Sequence, residues 1–205
     1  MNYDLAYAVG FHPWETAIDN EEFIKSITAL FEEEERGREP PYGPALDIGT
    51  GSGIWGVELA KRGWQVTGID YAQRALRRAT DRIEEAGVEM TLVHGDVTDL
   101  RAAGIEGPIR LFLDTGTYHG LTPEQREAMG QGVDDVAADD ATVLLLAWEP
   151  RRRGPLPRGA TADELGETFP GWDVDDLGRT NFTAPKPVEI LMNPNEHWYR
   201  LRRRN

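Results

Sequence analysis

Cysteine is absent from this chain of 205 residues, which excludes disulfides, thiolate metal sites and cysteine nucleophiles. Cationic charge is scarce as well, since Lys+Arg 22 against Asp+Glu 36 leaves a net charge of −14. So acidic a surface repels phosphate backbones and anionic lipid, and neither nucleic acid nor membrane is expected as a partner. Two arginine clusters run against that balance, Arg151 to Arg153 with Arg158 and the arginines from Arg200 to Arg204, and they read as solvated loop and tail charge. No apolar run approaches the roughly 18 residues of a membrane span, and Met1 to Leu5 lacks a basic segment followed by an apolar one. No His/Asp cluster has tight metal-ligand spacing, so no metal is expected. A cytoplasmic protein, monomer or homodimer, fits this composition.

With 40% hydrophobic residues the chain can bury a sizeable core, most simply as one domain. Apolar spacing predicts a helix over 16–36, carrying Ile18, Phe23, Ile27, Leu30 and Phe31 and stopped by Gly37 and Pro40-Pro41. An alternating pattern follows: strand 44–48, helix 54–62, strand 65–69, helix 72–86, strands 89–93 and 109–114, helix 122–138, strand 141–148. Strands separated by helices of this length imply βαβ units and a parallel sheet. After a Pro/Gly/Arg loop at 150–160, a short helix near 161–168 precedes extended stretches at 172–181 and 196–203, which suit an antiparallel edge hairpin.

The run Ala45-Leu46-Asp47-Ile48-Gly49-Thr50-Gly51-Ser52-Gly53 sets a short apolar strand, an acid and alternating glycines before a helix. Glycine tolerates positive φ and lets a ligand lie against bare backbone at a helix N-terminus. Ligands of open parallel sheets bind beyond the carboxyl ends of the strands. Four acids fall there: Asp47 closing the first strand, Asp70 ending the second, Asp96 following the third and Asp114 ending the fourth. Asp70 suits the hydroxyls of a ribose, or a helix N-cap. Asp96 suits an adenine amino group, or a turn before Leu100. Asp47 suits the glycine loop itself, or an ammonium group through water. Asp114 lies nearest the reacting end, or caps its own loop.

Taken in order, Asp47-x-Gly49-x-Gly51-x-Gly53, Asp70, Gly95-Asp96 and an apolar strand ending in Asp114 resemble the class I S-adenosylmethionine-dependent methyltransferases over about residues 43 to 149. The resemblance implies an α/β fold: a Rossmann-like, doubly wound, mostly parallel seven-stranded sheet with an antiparallel C-terminal hairpin. Residues 1–42 would form an N-terminal helical cover and 43–205 the methyltransferase domain. It further implies S-adenosyl-L-methionine as cofactor. The loop Asp47, Gly49, Thr50, Gly51 and Gly53 would lie under its methionine part. Asp70, with Tyr71, would hold the ribose, Asp96 with Val97 the adenine, and Asp114 would also contact the cofactor. The segment Thr115 to Leu121 resembles a pocket-lining stretch of thiopurine- and tellurite-type methyltransferases, and Pro13-Trp14 the cover over the cofactor, placing Trp14 against it. In-line methyl transfer to an oxygen, nitrogen or sulfur of a small-molecule acceptor mainly needs alignment and exclusion of water. An acidic acceptor gains from a base, for which His119 is the candidate, with Asp114 beside it. Two alternatives stay open. One is a nicotinamide-dependent oxidoreductase, because Gly51-Ser52-Gly53-Ile54-Trp55-Gly56 also fits the dinucleotide fingerprint. The other is an adenosyl-binding protein or cyclase that transfers no methyl.

Overall fold

The computed structural model describes residues 20–150, 158–180 and 195–204. They build a seven-stranded sheet in the order β3-β2-β1-β4-β5-β7-β6. In chain order the elements are α1 (Glu21–Glu35), β1 (Pro44–Ile48), α2 (Ile54–Arg62), β2 (Gln65–Asp70), α3 (Gln73–Ala86), β3 (Met90–His94), β4 (Ile109–Asp114), α4 (Pro123–Val136), β5 (Ala137–Trp148), α5 (Ala162–Thr168), β6 (Trp172–Arg179) and β7 (Glu196–Arg203). β1 through β5 pair in parallel, whereas β7 runs antiparallel to both β5 and β6. Between β1 and β4 the chain leaves one side of the sheet for the other, the point at which ligands bind in open sheets of this kind.

Alternation along the strands sorts side chains into two cores. On one face Ala45, Leu111, Leu113, Leu144, Leu146 and Trp198 meet Phe23, Ile27 and Phe31 of α1 and Leu59 of α2. On the other, Leu46, Ile48, Phe112, Val143 and Leu145 meet Met129, Val133 and Val136 of α4 and Leu165 of α5. The central strands are therefore apolar on both sides, as a doubly covered parallel sheet requires.

Local chemistry fixes the helix ends. Asn20 caps α1 by accepting the Phe23 N–H at 2.9 Å, so the described helix starts at Glu21; residues 16–19 of the expected helix lie outside the described residues. Thr122 with Gln125 and Thr161 with Glu164 form capping boxes at α4 and α5. The crossing from β3 to β4 has no regular helix; turns bury Val97, Leu100 and Ile105 instead.

The C-terminal pair forms the antiparallel edge hairpin that the sequence suggested, with β7 inside and β6 at the edge. β7 buries Trp198, Tyr199 and Leu201, whereas β6 carries Asp173, Asp175 and Asp176, and charge suits an unpaired edge. One sequence expectation needs adjustment, because the terminal arginines are not free tail charge: Arg200, Arg202, Arg203 and Arg204 face Glu34, Asp175, Asp134 and Asp173. Arg151 to Arg153 lie outside the described residues.

Candidate active site at the carboxyl ends of the strands

The loop after β1 turns on three left-handed glycines, Gly49, Gly51 and Gly53, with φ of 66, 56 and 75°. Backbone bonds brace it, from Thr50 N to Ile69 O at 3.0 Å and from Gly53 N to Thr50 O at 2.9 Å. Gly49 is needed for a reason absent from its immediate sequence: a Cβ there would stand 1.9 Å from Thr117 Oγ1 on the loop after β4. The Thr117 hydroxyl donates to Ile48 O at 3.2 Å and thereby ties the two loops together. Gly53, the N-cap of α2, faces Ala79 of α3, where a Cβ would lie 3.0 Å from the alanine Cβ.

Asp47 is 2% exposed and accepts the Thr50 hydroxyl at 2.6 Å. Thr50 thus turns inward, so its side chain fixes the loop and does not present itself to a ligand. Burial pushes the Asp47 carboxyl up to about 7, against the lowering effect of the Thr50 bond, and the charges of Asp114 and Asp70 push the same way as burial. Asp70, at the tip of β2, accepts the Gly51 N–H at 2.9 Å and the Ala72 N–H at 2.8 Å. It therefore both tethers the glycine loop and serves the start of α3. Burial raises its pKa, opposed by those backbone donors. A carboxylate accepts about four hydrogen bonds, so capacity remains on Asp70 beside the loop.

Asp114 is fully buried, and its two oxygens accept the N–H groups of Gly116, Thr117 and Tyr118 at 2.8, 2.7 and 2.9 Å. Burial lifts it to about 6 although those three bonds favour its ionised form. The expectation of Asp114 as a catalytic or cofactor-contacting acid is corrected here, because a sealed carboxyl with both oxygens engaged caps its loop. His119 is likewise buried, its ring centroid 4.9 Å from that of Trp148 and tilted by 32°. Its Nδ1 accepts the Trp148 backbone N–H at 3.3 Å, which puts the proton of the neutral ring on Nε2. In that tautomer the ring is a donor, and the expectation of His119 as the base is corrected on that ground.

Other expected residues divide between rim and core. Asp96 is exposed, and its Oδ1 accepts the Thr98 N–H at 2.9 Å and hydroxyl at 2.7 Å, an Asx turn of the kind its sequence allowed. Tyr71, 49% exposed, flanks the tip of β2 and its carbonyl lies 3.0 Å from His94 Nε2. The Val97 side chain packs into the core. Trp14 lies outside the described residues.

Two residues that sequence reasoning missed complete the site. Arg126 is 4% exposed, its guanidinium 4.6 Å from the Tyr118 ring, and it donates to His119 O at 3.2 Å and Gly159 O at 2.7 Å. It joins the loops after β4 and β5. The available signal was an arginine at helical spacing from buried Met129 and Val133. Glu196 opens β7 opposite Trp148 and accepts its indole N–H at 3.1 Å. Its signal was the two-residue step to Trp198, which sets both on one sheet face.

These groups suit a sulfonium nucleoside. Three acids concentrate negative potential, a left-handed glycine cradle offers backbone N–H groups, and the Ser52 hydroxyl within the cradle is buried without a partner among the described residues. Concavity alone would point elsewhere: an open hollow bounded by Ile105, Pro108 and Val136 lies at the amino ends of β4 and β5, away from these groups.

Comparison with known proteins gives the same answer. A family described as "Methyltransferase domain" matches residues 45–139. The chain is 30% identical over 179 residues to the 2-heptyl-1-hydroxyquinolin-4(1H)-one methyltransferase of Mycobacteroides abscessus, covering 84% of this chain and 73% of the relative. In fold it is similar to the 1,6-didemethyltoxoflavin-N1-methyltransferase of Burkholderia thailandensis, solved with bound 1,6-didemethyltoxoflavin and S-adenosylhomocysteine (TM-score 0.73, 19% identity, 100% of this chain and 86% of that one). It is also similar to the N-methyltransferase NodS of Bradyrhizobium japonicum, solved with S-adenosyl-l-homocysteine (TM-score 0.69, 16% identity, 91% and 90% covered). The glycine cradle, the strand-tip acids and a relative aligned over most of both chains establish that this protein belongs to the class I S-adenosylmethionine-dependent methyltransferases.

Proposed function

We propose that this methyltransferase acts on a small, flat aromatic or heteroaromatic acceptor and methylates the oxygen of an acidic hydroxyl. The observation that carries the reading is an aromatic wall at the tips of β5 and β7, where His119 packs tilted against Trp148 and Trp148 is held by Glu196. The Mycobacteroides abscessus relative, named for a hydroxyquinolone, supports the same class of acceptor.

When bound, S-adenosylmethionine supplies an electrophilic methyl group on a sulfonium. In this reading Asp70 holds the ribose with its remaining lone pairs, Gly51 and Ser52 meet the methionine portion, and Asp96 with Tyr71 borders the adenine. Asp47 and Asp114 stay buried, holding the loops that carry those contacts and biasing the crevice toward a cation. Residues 1–42 are proposed to cover the site. In support, Phe23 in the first turn of α1 lies 5.6 Å from Trp55 at the start of α2, so α1 delivers the preceding chain to the carboxyl end of the sheet.

The test is incubation of the purified protein with S-adenosylmethionine and 2-heptyl-1-hydroxyquinolin-4(1H)-one, alongside simple phenols and thiols, with products read by mass spectrometry. Addition of a methyl group to the hydroxyl compounds is the expected result. Tight binding of S-adenosylhomocysteine with no methylated product from any of them would overturn the acceptor assignment.

A further inference from the structure

We propose that Glu196 takes the proton of the acceptor hydroxyl as the methyl group is transferred, a role that rests on the acceptor class proposed above. The geometry is that of a carboxyl group at the mouth of the site. Asp114 at the tip of β4 pairs with Leu145 of β5, whereas Glu196 pairs with Trp148, three positions farther along. At about 3.3 Å per residue, Glu196 stands roughly 10 Å beyond the level of the Asp114 rim. β7 stands three strands from β1 in the sheet, so the acceptor would lie over the tips of β4 and β5, between the glycine loop and Glu196. Glu196 shares its sheet face with Trp198, the face on which α1 and α2 pack.

Its partners leave it able to act. Oε1 accepts from Trp148 Nε1 at 3.1 Å and Oε2 meets the Thr180 hydroxyl at 3.5 Å, both neutral contacts. The remaining lone pairs of the carboxylate have room for an acceptor O–H. Neighbouring charges are engaged with one another: Glu149 with Asn195 and His197, and His197 with Asp176, while Arg179 bonds Asn195. Among the described residues no cation forms an ion pair with Glu196. Burial raises its pKa to about 7, against the lowering effect of the Trp148 and Thr180 bonds, so its charge changes in the range where a general base works best. His119, across the Trp148 ring, is a donor by its tautomer and complements an acceptor of protons. In the balanced step the acceptor O–H gives its proton to the Glu196 carboxylate. The oxygen forms its bond to the methyl carbon, the carbon–sulfur pair returns to sulfur, and protonated Glu196 then loses its proton to water.

Two measurements test this. In the protein without ligands, the indole Nε1–H resonance of Trp148, assigned with Trp148→Phe, should titrate with a midpoint near 7 and stop titrating in Glu196→Gln. In turnover with 2-heptyl-1-hydroxyquinolin-4(1H)-one, Glu196→Gln keeps an acceptor for the indole. It should lower kcat about a hundredfold, leave KM within about threefold and abolish the acid limb of the pH–rate profile. An indole signal flat between about pH 6 and 8 in the wild-type protein would overturn the proposal whatever the variant does. So would a variant that keeps its kcat, or one that loses activity with the acid limb intact, the mark of a merely structural role. Normal titration in a wild-type protein that leaves the quinolone unmethylated supports the carboxyl's state and rejects that acceptor, which separates the two readings.

Discussion

Gly49→Ala probes the contact that joins the two loops of the site. Gly49 sits at φ 66°, where an added Cβ would lie 1.9 Å from Thr117 Oγ1, 3.1 Å from its Cβ and 3.3 Å from its Cγ2. A left-handed alanine costs about 1–2 kcal/mol. Relieving the overlap means turning the stiff, β-branched Thr117 away, which breaks its bond to Ile48 O. Losing that bond costs about 0.5–1.5 kcal/mol, and residual crowding about 1–3 kcal/mol. The variant should therefore be destabilised by about 2.5–6.5 kcal/mol, a large part of the ~5–15 kcal/mol of a typical domain. In the Thr117→Ala background the offending oxygen is gone, so Gly49→Ala should cost only about 1–2 kcal/mol there. Urea denaturation of wild type, both single variants and the double variant at one temperature measures the coupling. Strict additivity would show that the loops do not meet through this pair, and the account of Gly49 would fail.

Three further outcomes follow from the same geometry. Asp70→Ala removes the acceptor for two backbone N–H groups and the carboxylate assigned to the ribose; calorimetry should show S-adenosylhomocysteine binding weakened roughly ten- to hundredfold, and unchanged affinity would refute that assignment. Arg126→Met keeps the aliphatic volume but strips donors from His119 O and Gly159 O, at a cost of about 2–4 kcal/mol in thermal or urea unfolding; a loss within about 0.5 kcal/mol would mean the guanidinium ties nothing. Asp47 has a folded pKa near 7 against 3.8 unfolded, so the native state binds the extra proton between those values and its contribution to stability falls as pH rises through that window. Asp47→Asn should flatten that fall, gaining on wild type by about 1–4 kcal/mol from pH 4 to 7, and parallel pH–stability curves for the two proteins would contradict it.

Element order was legible in the sequence to a degree that follows from its physics. α2 spans Ile54–Arg62 and Asp114 ends β4, where the sequence placed them, because glycine and apolar periodicity act over a few residues. The site was legible as a set of strand-tip acids, yet their roles were not. A sequence shows that Asp114 follows an apolar strand; it does not show that three backbone donors fold back onto it. His119 carried the right titration range for a base, and a backbone N–H from Trp148, twenty-nine residues away, settled its tautomer. Arg126 and Glu196 escaped notice because a polar residue within an apolar pattern reads as a surface position until its neighbours are known.

The sequence by itself determined the kind of ligand: an acid, alternating glycines and successive strand-tip carboxylates specify a nucleoside-binding crossover through local backbone rules. Tertiary structure alone decided which carboxyl groups stay available, since burial and hydrogen bonds come from residues distant in the chain. It sealed Asp47 and Asp114, left capacity on Asp70, and set Glu196 of β7 opposite Trp148 of β5. Solvent exposure and donor count, which fix a carboxyl group's protonation and reach, are properties of the packed sheet.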